Sequence, residues 1–193
     1  MHFASGCIVV AELLTSKNQN FSALAERIDH TLANLDAAWA NNFLEAPRRV
    51  ENRLQIGARL LAASKAFDFA VALQLALWPL RLRVYATNAG QTDIDQTFGK
   101  STAAFRGDFS GLSSAQAKMI EATAQLHAAI LRDWKPSRAK AALAMRTAKN
   151  QNEAAADLGI RQQSVSEALR AGHARELIAC ENAIRACLEE LES

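Results

Sequence analysis

Gln162, Gln163, Ser164, Ser166 and Arg170 fall within one short run near the end of a 193-residue chain. All are polar side chains that donate or accept hydrogen bonds. On one helix they make a face suited to a major groove, where each base pair offers its own pattern of donors and acceptors. The chemistry they suit is the reading of base edges, not bond breaking. Gln162, Gln163 and Ser166 are the expected base readers, and Arg170, one turn further on, reaches base or phosphate. Arg161 and Ser164 complete the set. Arg146 and Lys149, just upstream, are expected on phosphates, contacts that hold a duplex without reading its sequence. A carboxylate at Glu167 is repelled by phosphate, so an internal pair with Arg170 or Arg161 is expected there.

The stretch from Asn150 to Arg170 must position these side chains. It reads as two short helices, Gln151 to Leu158 and about Gln162 to Arg170, joined at Gly159, whose backbone freedom suits a sharp helix exit. Ile160 is expected as a buried plug in the turn. Ala155 is small where the helices would touch, and Val165 packs back toward it, with Ala154, Leu158 and Leu169 completing a small core. That is a helix-turn-helix layout with the second helix as reader. The bland alternative is two amphipathic helices of an ordinary bundle. Local charge favours the first reading. From residue 135 to 175 the chain carries eight basic side chains (Lys135, Arg138, Lys140, Arg146, Lys149, Arg161, Arg170, Arg175) and three acidic ones (Glu153, Asp157, Glu167). The local excess of +5 compares with +2 for the whole chain. A phosphate-binding surface needs such an excess.

Other groups point to no catalysis. His2, His30, His127 and His173 fall in separate elements without metal-ligand spacing and read as surface or boundary residues. No glycine-rich phosphate loop occurs. Asp93 and Asp95 suit a solvated turn, and Arg48, Arg49 and Arg53 a solvated hairpin more than an anion site. Cys7, Cys180 and Cys187 make an odd count without a paired-cysteine motif, which argues against a disulfide scaffold or zinc knuckle. No catalytic residue, metal or cofactor is expected.

Half of the residues are hydrophobic and 22% are charged, a globular composition. Only three prolines and eight glycines occur, so helix should dominate. The start, MHFASG, lacks the pattern of a signal peptide. The longest apolar stretch, Phe69 to Leu80, includes Gln74 and Pro79 and is too short to span a bilayer. A cytoplasmic protein without membrane partners is expected.

In chain order, Cys7 to Val10 reads as a buried strand. Thr15 to Asn20 reads as a loop. Phe21 to Ala40 carries Phe21, Leu24, Ile28, Leu32, Leu35 and Trp39 at helical spacing, with Ser22 as its cap. Two strands near Phe43 to Val50 and Arg53 to Leu61 make a hairpin. Ala62 to Trp78 is a helix stopped by Pro79, and Leu80 to Ala86 alternates as a half-exposed strand. Strand, helix, strand, strand, helix, strand is the ferredoxin-like order, an antiparallel sheet with two helices on one face. Thr87 to Gly111 reads as a long loop with one short element at most. Leu112 to Trp134 is a long helix with Leu112, Met119, Ala122, Leu126, Ala129 and Ile130 on its apolar side. Pro136 opens a support helix, read over Ala139 to Thr147. His173 to Leu191 repeats Leu177, Cys180, Ile184, Cys187 and Leu191 as a coiled-coil-like seam. The fold class is therefore α+β, with an α+β domain over 1–111, a connecting helix over 112–134 and an all-α helix-turn-helix domain over 135–193.

The chain resembles the SatD family of bacterial proteins. Gln151 to Leu169 matches that family's closing segment, in which Gln-x-Glu-Ala/Val-Ala leads to Leu-Gly-Ile and a Gln-Gln-x-Val-Ser run. The front half matches by order and spacing and is similar to the nucleotidyl and diguanylate cyclase fold. Where the family carries Gly-Asp-Ile, this chain has Gly6-Cys7-Ile8. Where it carries Gly-Asp-Glu-Phe, this chain has Gly57-Ala58-Arg59-Leu60. A cyclase needs carboxylates there to hold divalent metal, and Cys7, Ala58 and Arg59 cannot supply them. The resemblance thus implies a DNA-binding, transcription-regulatory protein with an inactive cyclase-like domain for oligomerisation or sensing. One reader module contacts few base pairs, so a homodimer is expected, through the helix at 112–134 or the last helix. The alternatives are an interaction adaptor with a helical clamp as its tail and a nucleotide-binding enzyme. The sequence names neither the DNA target nor any small-molecule effector.

Overall fold

The computed structural model of the chain describes residues 6–14, 20–50, 54–88 and 103–192. His2, Asp93, Asp95 and Arg53 lie outside the described residues, as does most of the loop read at Thr15 to Asn20. Five strands form one sheet: β1 (Cys7–Leu14), β2 (Phe43–Arg49), β3 (Gln55–Leu60), β4 (Arg81–Thr87) and β5 (Phe105–Asp108). Their order is β2-β3-β1-β4-β5. β1 is central because its run Cys7-Ile8-Val9-Val10-Ala11 is apolar on both faces, which suits a strand covered on each side. It pairs antiparallel with β3, Cys7 opposite Leu60 and Val10 opposite Gly57, and with β4, Ile8 opposite Thr87 and Leu14 opposite Arg81. β2 lies at the edge, where Pro47 removes no ladder bond that an inner strand would need.

β5 pairs parallel to β4, so the sheet is not wholly antiparallel as expected. Only four residues long, with Phe105 as its one buried side chain, β5 carries too little alternation to be seen in sequence.

Helix α1 (Phe21–Trp39) buries Ala25, Ile28, Leu32 and Leu35, one stripe at helical spacing. Its cap is Asn20, not Ser22: the Asn20 Oδ1 accepts from the Ser22 and Ala23 amides at 3.0 and 3.4 Å. Phe21, placed in the apolar stripe by sequence, is 47% exposed. A 3-10 turn at Ala63–Lys65 precedes helix α2 (Ala66–Ala76). α2 is apolar almost all round because the sheet and α1 cover one side and later helices the other.

Five further helices follow among the described residues: α3 (Ser114–Arg132), α4 (Pro136–Ala144), α5 (Gln151–Leu158), α6 (Gln162–Ala171) and α7 (Ala174–Glu189). Ser113 and Gln116 form a reciprocal capping box at the start of α3. Pro136 occupies the first turn of α4.

The main core joins the sheet face of Val9, Ala11, Ile56 and Val84 to α1 and α2 and continues into Leu131, Trp134, Leu177, Ile184 and Leu188 of the later helices. A second, smaller core of Ala141, Ala154, Ala155 and Val165 belongs to α4, α5 and α6 alone. The Trp134 indole N–H donates to the Gly172 carbonyl at 3.1 Å, buried, and so ties the end of α3 to the α6–α7 corner.

Two stripes lie in a different phase from the sequence reading. α3 buries Ile120, Ala124, His127 and Leu131, while Met119 and Leu126 are 70% and 60% exposed. α7 buries Leu177, Glu181, Ile184 and Leu188, and Cys180 and Cys187 are only half-buried. In each case an ionisable residue sits in the middle of the true stripe. His127 and Glu181 meet there at 3.0 Å, and the pairing is what lets both be buried. His127 is thus a core residue, not a surface or boundary one.

Candidate functional site

The α5–α6 pair is built by local signals. The Asn150 Oδ1 accepts from the Asn152 and Glu153 amides, both at 3.0 Å, and the Glu153 Oε2 accepts from the Lys149 amide at 2.7 Å. Together these satisfy the free donors at the start of α5. α5 ends at Gly159, in the left-handed region at φ 64°, where the Ile160 amide donates back to the Ala155 carbonyl at 3.0 Å. Arg161 opens α6 and gives no side-chain cap, which leaves the first amides of α6 turned to solvent at the positive end of the helix.

Val165 is the one fully buried residue of α6, packed on Ala154, Ala155 and Ala141 with Met145, Leu158, Ala168 and Leu169 around it. Ile160 is not the buried plug expected. Its side chain is 46% exposed, because the alanines bring the helices so close that Val165 alone fills the gap.

The polar α6 side chains stand outward. Arg161, Gln162, Gln163, Ser164, Glu167 and Arg170 are exposed and Ser166 is half-buried. Two have internal partners: Gln162 Nε2 donates to Gln151 Oε1 at 2.6 Å, and Gln163 Nε2 to Glu167 Oε1 at 3.0 Å. Glu167 therefore takes its hydrogen bond from Gln163, not from Arg161 or Arg170. A four-residue spacing on one helix face makes Gln163 the nearer donor.

Lys149 is exposed beside this surface. Arg146 is engaged elsewhere: its Nη2 bonds both carboxylate oxygens of Glu181, at 2.7 and 2.8 Å, and its side chain is 27% exposed. Burial alone would raise the Glu181 carboxyl, but the His127 hydrogen bond and the Arg146 guanidinium outweigh it and hold the group below the ordinary glutamate range. The sequence signal for this network was the polar break in each helix stripe.

Cys7, Ala58 and Arg59 do not converge on one point. Cys7 and Ala58 point into the main core, 0% and 7% exposed. Arg59 lies on the opposite face of the sheet, 3.5 Å from Glu45. Burial pushes the Cys7 thiol up to about 12, so it stays protonated and a poor nucleophile or ligand. Among the described residues no three histidine, cysteine or acidic side chains gather as a metal would require. Arg49 is held by Asp29 through two bonds of 2.9 Å. No helix, among the described residues, is long and apolar enough to cross a membrane. The chain matches no protein-family model, no curated protein and no solved structure.

Proposed function

We propose that the chain is a DNA-binding regulatory protein in which α4, α5 and α6 form a helix-turn-helix module and α6 reads the major groove. The observation that carries this is the outward face of α6. A helix that commits Val165 to a core and turns Gln162, Gln163, Ser164 and Arg170 to solvent has the side chains that base edges and phosphates pair with. An uncapped N-terminus beside Arg161 suits a phosphate oxygen. Lys149 and Arg161 are the phosphate contacts in this proposal; Arg146 serves the module through Glu181.

The front of the chain serves as a ferredoxin-like, cyclase-like scaffold without catalysis. The order β2-β3-β1-β4, antiparallel at each step, supports this, with α1 and α2 sharing the core of one sheet face. The resemblance to the SatD family, through the Gln151 to Leu169 motif and the element order of the front half, supports the same reading. A gel shift with genomic fragments at two salt concentrations tests the proposal. Retention of a subset of fragments, weakening steeply with salt, is expected. Absence of any shift favours the adaptor reading, with the tail as a clamp.

A further inference from the structure

A cleft of about 770 Å³ separates α1 and the end of α2 from α4 and α5, a size that holds a small organic molecule. Its walls are apolar: Leu35, Trp39 and Ala72 on one side, Leu143, Ala144 and Leu158 on the other. Five ionisable side chains also line it, Arg27, His30, Lys140, Arg146 and Asp157. None of them calls for a charged occupant. The Arg27 guanidinium donates to the Leu77 and Trp78 carbonyls at 3.1 and 2.6 Å, and Arg146 holds Glu181. Lys140 and Asp157 carry opposite charges, and they and His30 are exposed to water, which screens them. Deeper in, Thr31 is 8% exposed. Its hydroxyl has no hydrogen-bond partner among the described residues, yet it is not sealed off as Gln55 Oε1 and Arg59 Nε are. The space it reaches is this cleft.

We propose that this cleft binds a small, uncharged, largely apolar molecule with one hydrogen-bonding group, placed on the Thr31 hydroxyl. A charge carried between these walls would lose hydration with no buried counter-charge to replace it. A purely apolar molecule would fill the walls but leave the hydroxyl without a partner. A hydroxyl both donates and accepts, so a neutral alcohol, phenol or aryl amine is the complement. The cleft also joins the two cores of the chain. Leu35 and Ala72 belong to the main core, while Ala144 and Leu158 pack on the small core around Val165. An occupant touches both sets and so fixes α5 relative to α1. This proposal goes beyond DNA binding and does not depend on it.

The probe is N-phenyl-1-naphthylamine, neutral and aromatic with one N–H, titrated by fluorescence into the full chain and into Leu143→Glu, Thr31→Val and Ile178→Glu. Leu143 is 36% exposed, and Ile178, on the wall of a neighbouring cleft, is 52% exposed, so neither replacement disturbs a core. One probe per chain is expected to bind. Leu143→Glu, which sets a carboxylate in the apolar wall, is expected to lose about tenfold in affinity. Thr31→Val keeps the side-chain shape and is expected to lose about fivefold, the size of one neutral hydrogen bond. Ile178→Glu is expected to bind like the unmodified chain. At pH 7, 1-naphthol is expected to displace the probe at lower concentration than naphthalene-1-sulfonate, and saturation with the probe to slow hydrogen exchange at the α5 amides. Absence of binding, or a loss in Leu143→Glu no larger than in Ile178→Glu, overturns the site. Undiminished affinity in Thr31→Val overturns the role of the hydroxyl, and stronger displacement by the sulfonate overturns the uncharged class. Unchanged α5 exchange at saturation overturns the bridge between the two cores.

Discussion

Arg146 is where residue type misleads most. It sits in a basic stretch and has the chemistry of a phosphate contact, yet both oxygens of Glu181 hold its guanidinium. Glu181 is 5% exposed, and without Arg146 its carboxylate keeps His127 as its one partner, so part of its burial cost is no longer offset. Arg146→Ala is therefore expected to lower the unfolding free energy by about 2 kcal/mol, the scale of lost hydrogen bonds to a charged group, measured by urea denaturation. A loss as small as that of an exposed arginine would contradict the network. The same carboxyl sets a pH dependence. Its folded pKa is held below its ordinary value of 4.5, so its contribution to stability is present above that value. The contribution starts to fall as pH drops below 4.5 and is gone once pH passes the lower folded pKa. Thermal melts across this window should show a smaller acid loss in Glu181→Gln than in the unmodified chain; equal losses would mean that the carboxyl is not held low.

At the scale of elements, the turn between α5 and α6 depends on Gly159. An added Cβ there meets no atom within 4 Å, so Gly159→Ala pays only for the left-handed backbone, about 1 kcal/mol. A denaturation measurement checks this, and a loss several times larger would point to a packing role for the glycine. Much of the element order was legible: the alternation of Leu82, Val84 and Ala86 marked β4, and Asn150 with Gly159 bracketed α5. The faces of the two long C-terminal helices were not. Apolar spacing points to Met119 and Leu126 in α3 and to Cys180 and Cys187 in α7 only when polar residues are struck from the core. The true stripes each contain one, His127 and Glu181, and their mutual pairing cannot be seen from either helix alone. Ile160 failed for the opposite reason. An isoleucine in a turn reads as buried, but a core of alanines has no room for it. For the candidate site, the outward set on α6 was legible from residue type, whereas the engagement of Arg146 needed a partner 35 residues away.

At the scale of the whole molecule, α7 spends its apolar stripe inside the chain, which leaves the outer face of α3 as the candidate contact between two copies. Ala115, Met119, Ala122, Leu126 and Ala129 repeat there in steps of four and three, the spacing of a helix seam. A homodimer mass at micromolar concentration is expected by light scattering, with Leu126→Glu shifting it to monomer; a monomer in the unmodified chain would remove the dimer from the proposal. The central claim is that α6 reads bases. It is tested most directly by fluorescence anisotropy of the full chain on a DNA site selected from genomic fragments, with Gln163→Ala and Lys149→Ala alongside. Gln163→Ala is expected to cost about 1–3 kcal/mol on the selected site and little on random DNA. Lys149→Ala is expected to weaken both alike and flatten the salt dependence. If folded Gln163→Ala keeps the affinity and sequence preference of the unmodified chain, α6 is not the reading helix.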